Sequence, residues 1–175
     1  MNYLFLDNGF EEIEAITTID LLRRANIDLT TVSITGQPMV KGAHNVSVQA
    51  DKLMEDIDFK DANMLILPGG ASHLENNTAL TDLLVKHNEE NKLIAAICYA
   101  PSVLAKLGIL KGKQATCYPG FENVLGESYL GGLVVESQNI ITAKGPGLSS
   151  DFAFCIIEKL VGSDMADQVY DAAQY

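Results

Sequence analysis

Three short stretches of this chain carry residue types that could do chemistry together. In Leu93-Ile94-Ala95-Ala96-Ile97-Cys98-Tyr99-Ala100-Pro101, five apolar residues lead directly into a cysteine, and Ala100, Val103, Leu104 and Leu107 then recur at helical spacing. That pattern predicts a buried strand turning sharply into a helix, with Cys98 at the junction and Pro101 in the first helical turn. A nucleophile elbow has this layout, here with Cys in place of Ser, and the helix N-terminus beside the thiol favours thiolate. The competing reading is a buried, inert cysteine at a strand end. Glu14, one turn into a helix that begins at Glu11-Glu12-Ile13 after Asp7-Asn8-Gly9 ends the first strand, can reach back across the strand ends. A carboxyl desolvated against a thiol should bind its proton more tightly and serve as a proton shuttle. The plainer reading of Glu11, Glu12 and Glu14 is that they complement the helix dipole. Pro68-Gly69-Gly70 ends an apolar strand and offers unobstructed backbone N–H groups. With the N–H of Tyr99 these could form an oxyanion hole, or they could be a plain turn.

The other candidate donors are scattered. His87 lies in a polar helix end and reads as solvated, whereas His73 after the glycine loop and His44 between Gly42 and Asp51 could each approach the site. No histidine adjoins Cys98, so a simple Cys-His dyad is not evident. Cys98, Cys117 and Cys155 are three in number and form no CxxC pair, which argues against a disulfide framework or a zinc site. Cys155, in Phe152-Ala153-Phe154-Cys155-Ile156-Ile157, reads as helix core. No His/Asp/Glu cluster at ligand spacing calls for a metal, and nothing implies a cofactor.

To position such groups the chain needs a substantial core. Its 175 residues, 47% hydrophobic and 20% charged, have a globular profile. A formal charge of −11 argues against nucleic acid or anionic membranes as partners. No apolar run approaches the roughly 20 residues that span a bilayer. Met1 to Asp7 lacks a basic region and a small-residue cleavage site, so a cytoplasmic protein without signal peptide is expected. Strands are predicted at Tyr3–Leu6, Leu29–Ile34, Met64–Leu67, Leu93–Ile97 and Gln114–Tyr118. A further strand pair is expected at Gly131–Glu136 and Asn139–Ala143, around a Ser137-Gln138 turn, and a short strand at Val46–Val48. Helices are expected from Glu11 to about Ala25, through Leu80–Leu84, after Cys98 as far as Gly108, and from Leu148 to about Val161. The tail beyond Ser163 is left open. Strands alternating with helices give an α/β domain with a mainly parallel sheet and helices on both faces. In such sheets sites gather beyond the carboxyl ends of the strands, where Gly9–Glu14, Pro68-Gly69-Gly70 and Cys98-Tyr99 converge.

Taken together, Gly9-Phe10-Glu11-Glu12-Ile13-Glu14-Ala15, Asp20-Leu21-Leu22-Arg23-Arg24-Ala25, Leu65-Ile66-Leu67-Pro68-Gly69-Gly70, Ala95-Ala96-Ile97-Cys98-Tyr99-Ala100-Pro101 and Lys144-Gly145-Pro146-Gly147 resemble the ThiJ/PfpI family, in the branch of the parkinsonism-associated deglycase. The resemblance covers nearly the whole chain and implies one domain over residues 1–175. It further implies a flavodoxin-like three-layer sandwich, like that of class I glutamine amidotransferases, and a homodimer through the first helix. It places the family's reactive cysteine on Cys98, its partner carboxyl on Glu14, and the oxyanion-hole positions on Gly70 and the Tyr99 backbone, beside Gly69. His44 falls where relatives carry an arginine near the site of the partner subunit. Two departures stand out. Tyr99 follows the cysteine where protease-like members have histidine, which speaks against peptidase activity. Thr116-Cys117-Tyr118-Pro119 has Tyr118 where many deglycase-branch members have histidine. A phenol can orient a substrate but is a poor base. Cys117 beside it reads as strand filler or as a second redox-active thiol.

Two functions follow from the resemblance. One is cofactor-free conversion of methylglyoxal-like dicarbonyls, or of their early glycated adducts on proteins, by a Cys98 nucleophile with Glu14 relaying protons. The other is a redox-sensing, chaperone-like stress protein in which peroxide oxidises Cys98. No Cys-His-Glu set is visible to support glutamine amidotransfer.

Overall fold

The computed structural model describes residues 1–70 and 73–175. One seven-stranded sheet organises them. Its strands are β1 (Asn2–Leu6), β2 (Leu29–Ser33), β5 (Lys52–Leu53), β6 (Met64–Leu67), β7 (Leu93–Ile97), β8 (Val134–Ser137) and β9 (Ile140–Ala143). They lie in the order β5-β2-β1-β6-β7-β9-β8, and all neighbours are parallel except the β8–β9 hairpin at one edge. Strands β3 (Met39–Lys41) and β4 (Ser47–Gln49) form a separate antiparallel hairpin. Every residue of β1, β6 and β9 is buried, as expected for strands covered on both faces.

The helices follow the local signals. In α1 (Glu12–Arg24) the Glu11 side chain caps the first turn by accepting from the Glu14 N–H at 2.8 Å, and Arg23 and Arg24 occupy the last turn. In α2 (Thr78–Glu89) the Asn77 side chain accepts from the Leu80 N–H at 3.0 Å. Helix α3 (Ala100–Lys106) has Pro101 in its first turn, and Gly108, at φ 73°, takes the left-handed position just beyond it. A short α4 (Glu122–Leu125) follows. Then α5 (Ser149–Val161) packs against α1, and α6 (Ser163–Ala173), formed by the tail, packs against α5.

Four expectations need correction. Gln114–Tyr118 is not a strand, because its polar groups go to separate partners. Ala115 makes one isolated bridge with Tyr129, Thr116 N–H donates to Thr142 Oγ1, and Tyr118 N–H donates to the Cys98 carbonyl. The edge strand starts at Val134 rather than Gly131. His87 is 2% exposed, with Nε2 at 3.1 Å from the Leu93 carbonyl oxygen, and burial holds its pKa down. Cys155 is half-buried at the surface of α5 rather than within the core.

Candidate active site

Strand β7 delivers Cys98, and the backbone at that residue is unusual. Its φ is +67°, a left-handed conformation that costs a residue with a Cβ about 1–3 kcal/mol. The conformation is held from both sides. Cys98 N–H donates to the Ala143 carbonyl at 2.9 Å, and its carbonyl accepts from Tyr118 N–H at 2.8 Å. The thiol emerges at the carboxyl end of the sheet, with the residue 9% exposed.

Glu14 is completely buried on the inner face of α1. Its Oε2 accepts from the Gly69 N–H at 2.6 Å, whereas Oε1 makes no hydrogen bond among the described residues. Gly69 has no side chain because there is no room for one. A Cβ there would stand 2.7 Å from Cys98 Cβ, 2.8 Å from Glu14 Oε2 and 3.0 Å from Cys98 Sγ. The carboxyl and the thiol thus flank a single point on the glycine backbone. Gly70, at φ 99°, bridges Phe10, and Glu11 N–H donates to the Gly69 carbonyl at 3.0 Å, tying this loop to the start of α1.

Burial dominates the protonation of both groups. It lifts the Glu14 carboxyl to about 7, against the lowering hydrogen bond from Gly69 N–H and the contact with Cys98. Burial also pushes the Cys98 thiol well above its ordinary range, and the adjacent Glu14 charge adds to that. The Tyr99 backbone N–H acts in the other direction. With Glu14 ionised, then, the thiol keeps its proton. The helix-terminus argument for a free thiolate is outweighed by burial and by the carboxylate.

A cavity of about 380 Å³ opens above the thiol, lined by Glu11, His44, Gly70, Cys98, Tyr99, Tyr118, Phe121 and Pro146. Of the residues singled out in the sequence, Cys98, Gly70, Tyr99, Tyr118 and His44 line it, while Glu14 and Gly69 lie behind it. Gly69 N–H is committed to the carboxyl, which leaves Gly70 and Tyr99 N–H as the candidate oxyanion donors. The Tyr99 phenol turns away and donates to Glu75 Oε2 at 3.0 Å, a carboxylate that also receives Lys106 Nζ at 2.6 Å. Tyr118, with 45% of its surface exposed, packs on the Gly145 backbone and forms part of the wall. His73 is exposed and does not line the cavity, and Cys117 is buried in the loop below Tyr118, its thiol pushed up by burial to about 11. Phe121 was not anticipated, and Pro146 was known only as part of the Lys144-Gly145-Pro146-Gly147 stretch, not as a site residue. Phe121, edge-on to Tyr99 with ring centroids 5.3 Å apart, follows a Pro-Gly turn that gave no signal beyond a loop.

His44 lines the cavity of its own chain. Its Nδ1 lies 2.9 Å from Glu12 Oε2, and its backbone N–H donates to Glu12 Oε1 at 2.6 Å. The hydrogen bond and the Glu12 charge raise the imidazole pKa. Glu11, Glu12 and His44 bring metal-type donor atoms within 4.8 Å of one another. Glu12 accepts from the His44–Val46 segment and so clasps α1 to the β3–β4 hairpin, while Glu11 accepts from Glu14 N–H within the start of its own helix.

Residues 3–159 match the model of the DJ-1/PfpI family. The chain belongs to the DJ-1/PfpI family. It is 38% identical over 176 residues to Protein DJ-1alpha of Drosophila melanogaster, covering 97% of this chain and 81% of that one. It is 33% identical over 164 residues to a Caenorhabditis elegans protein named glutathione-independent glyoxalase DJR-1.2, covering 91% and 87%. Oxidized Toxoplasma gondii DJ-1 superposes with a TM-score of 0.95 at 33% identity, over 99% of this chain and 97% of the other. The chain spans 43% and 38% of the length of two Arabidopsis thaliana relatives, DJ-1 homologs A and B. The flavodoxin-like α/β expectation holds.

Proposed function

We propose that this DJ-1/PfpI chain is a cysteine-dependent, cofactor-free glyoxalase acting on methylglyoxal-like dicarbonyls, or on their early protein adducts, in protection against stress. The observation that carries this reading is the buried Cys98–Glu14 pair, with Cys98 in the floor of an open cavity and Glu14 directly behind it, beside the Gly70 and Tyr99 N–H groups. The relative named as a glutathione-independent glyoxalase supports it. Cys98 Sγ attacks the aldehyde carbon of methylglyoxal while Glu14 carboxylate takes the thiol proton, and the developing oxyanion is met by the two backbone donors. The proton passes to that oxygen, giving a hemithioacetal. Glu14, ionised again, removes the proton from the former aldehyde carbon to form an enediol, and returns it to the neighbouring carbon, leaving a lactoyl thioester on Cys98. Water cleaves the C–S bond, releasing lactate and the thiol. The sum is methylglyoxal plus water to lactate, with no external oxidant.

Lactate formation from methylglyoxal without glutathione tests this, with Cys98→Ser and Glu14→Gln alongside. Activity in wild type and its loss in both variants is expected. Undiminished turnover by Cys98→Ser would remove the mechanism. A second reading, redox sensing, is favoured by the carboxyl that titrates near 7, since protonated Glu14 would donate a hydrogen bond to an oxidised Cys98 sulfur. Folded, reduced protein that makes no lactate but whose Cys98 is the first thiol taken to sulfinic acid by dilute peroxide, as read by peptide mass spectrometry, would select that reading.

A further inference from the structure

A second, larger concavity of about 550 Å³ lies away from Cys98, between edge strand β8 and helices α5 and α6. Leu133, Leu148, Phe154 and Tyr170 give it an apolar floor and wall, and Leu133 and Tyr170 remain 61% and 47% exposed. Phe154 and Tyr170 stand with ring centroids 5.3 Å apart at 53°. Around this apolar surface sit Asp151 and Glu158 of α5, two turns apart on one face, and Asp167 of α6. None of these three carboxylates has an ion-pair partner among the described residues, whereas Glu136 on the same rim is neutralised by Lys159 at 2.7 Å. The family match ends at residue 159, before α6, so one wall of this groove lies outside the region that the family model describes.

Apolar surface ringed by uncompensated charge of one sign selects its occupant by sign. A second copy seated on this groove by the same face would set Asp151, Glu158 and Asp167 against their own counterparts. We propose that the groove is a docking surface for a basic peptide segment of another protein. It would seat an aliphatic or aromatic side chain against Leu133, Leu148 and Phe154, and lysine or arginine side chains against Asp151, Glu158 and Asp167. The half-exposed Tyr170 ring, packed with Phe154 and Tyr175, adds an aromatic surface beside which a guanidinium can sit. Half-buried Cys155 in the groove reports occupancy, because a seated peptide covers its thiol.

The test is a fluorescence-anisotropy titration of the full chain with a short dye-labelled Lys/Leu amphipathic peptide and its Glu/Leu counterpart. Binding of the basic peptide alone is expected, weakening with salt. The triple variant Asp151→Asn, Glu158→Gln, Asp167→Asn should bind about tenfold more weakly, the size of a few exposed ion pairs. A triple of equal charge change elsewhere, Glu55→Gln, Asp56→Asn, Glu127→Gln, should bind as wild type does. Saturating peptide should slow alkylation of Cys155 by N-ethylmaleimide several-fold. No binding, equal weakening in the two triples, or unprotected Cys155 would overturn the proposal. So would a wild-type dimer that Leu133→Ser converts to monomer, because a second copy would then occupy the groove.

Discussion

At the scale of single residues the site depends on where one proton sits. Burial lifts the Glu14 carboxyl from an ordinary 4.5 to about 7, so the folded chain binds that proton more tightly than the unfolded chain does. The stabilisation this confers is full below about pH 4.5, drains away as pH rises towards 7, and is gone above. At ~1.4 kcal/mol per pKa unit the swing is about 3 kcal/mol. Glu14→Gln, which keeps an acceptor for Gly69 N–H but carries no charge, should therefore melt roughly 5–10 °C higher than wild type at pH 8. That advantage should vanish near pH 4.5. Thermal unfolding followed by circular dichroism across that range checks it, and a gap independent of pH would show that the carboxyl is not desolvated. On the proposed mechanism the same proton also sets the rate. With ionised Glu14 as base, kcat/KM for methylglyoxal should rise with pH up to about 7 and then level. Glu14→Gln should lose about 10²–10⁴-fold of it, with no rise left in its profile.

At the scale of elements, three chain segments meet at Gly69: the end of β6, the first turns of α1 and the β7–α3 elbow. Gly69→Ala should be felt by all three, since the new Cβ falls within 3 Å of both Cys98 and Glu14. It should cost about 1–3 kcal/mol of stability by overpacking and abolish most lactate formation. Gly147→Ala, whose Cβ meets nothing within 4 Å, should do neither; urea unfolding and a lactate assay on the two proteins make the comparison. The ends of these elements were readable from local signals: apolar runs for β6 and β7, acidic and basic helix ends for α1, Pro101 for α3. Long-range contacts were not readable. The left-handed Cys98 is imposed by Ala143 and Tyr118, distant in sequence. Gln114–Tyr118 has a strand's composition but finds no continuous neighbour. His87 sits in a polar stretch yet is drawn inward by two carbonyls from other segments. Cys155 has the company of a core residue and lies one position off the buried face, a distinction finer than helical periodicity resolves.

At the scale of the molecule, the homodimer expected through the first helix has a face to use. Ile13 and Ile16, one turn apart on α1, are 56% and 40% exposed, and Met39 and Val46 of the β3–β4 hairpin are 54% and 50% exposed. Glu12 joins the two elements through His44 and Val46, so these side chains stand on one braced unit. These are the side chains that a homodimer through this face would bury. Two chains of −11 repel, so association must come from the apolar contact and should strengthen as salt screens the charge. Wild type is expected to be a dimer by light scattering, and Ile16→Glu, which sets a carboxylate in that face, a folded monomer. Because the same unit forms one wall of the Cys98 cavity through Glu11 and His44, losing the partner should loosen the wall without removing the reacting groups. KM should rise several-fold in the Ile16→Glu monomer while kcat falls less. A monomer with unchanged KM would mean that the clasp needs no support from a second chain, and a monomeric wild type would remove the dimer altogether.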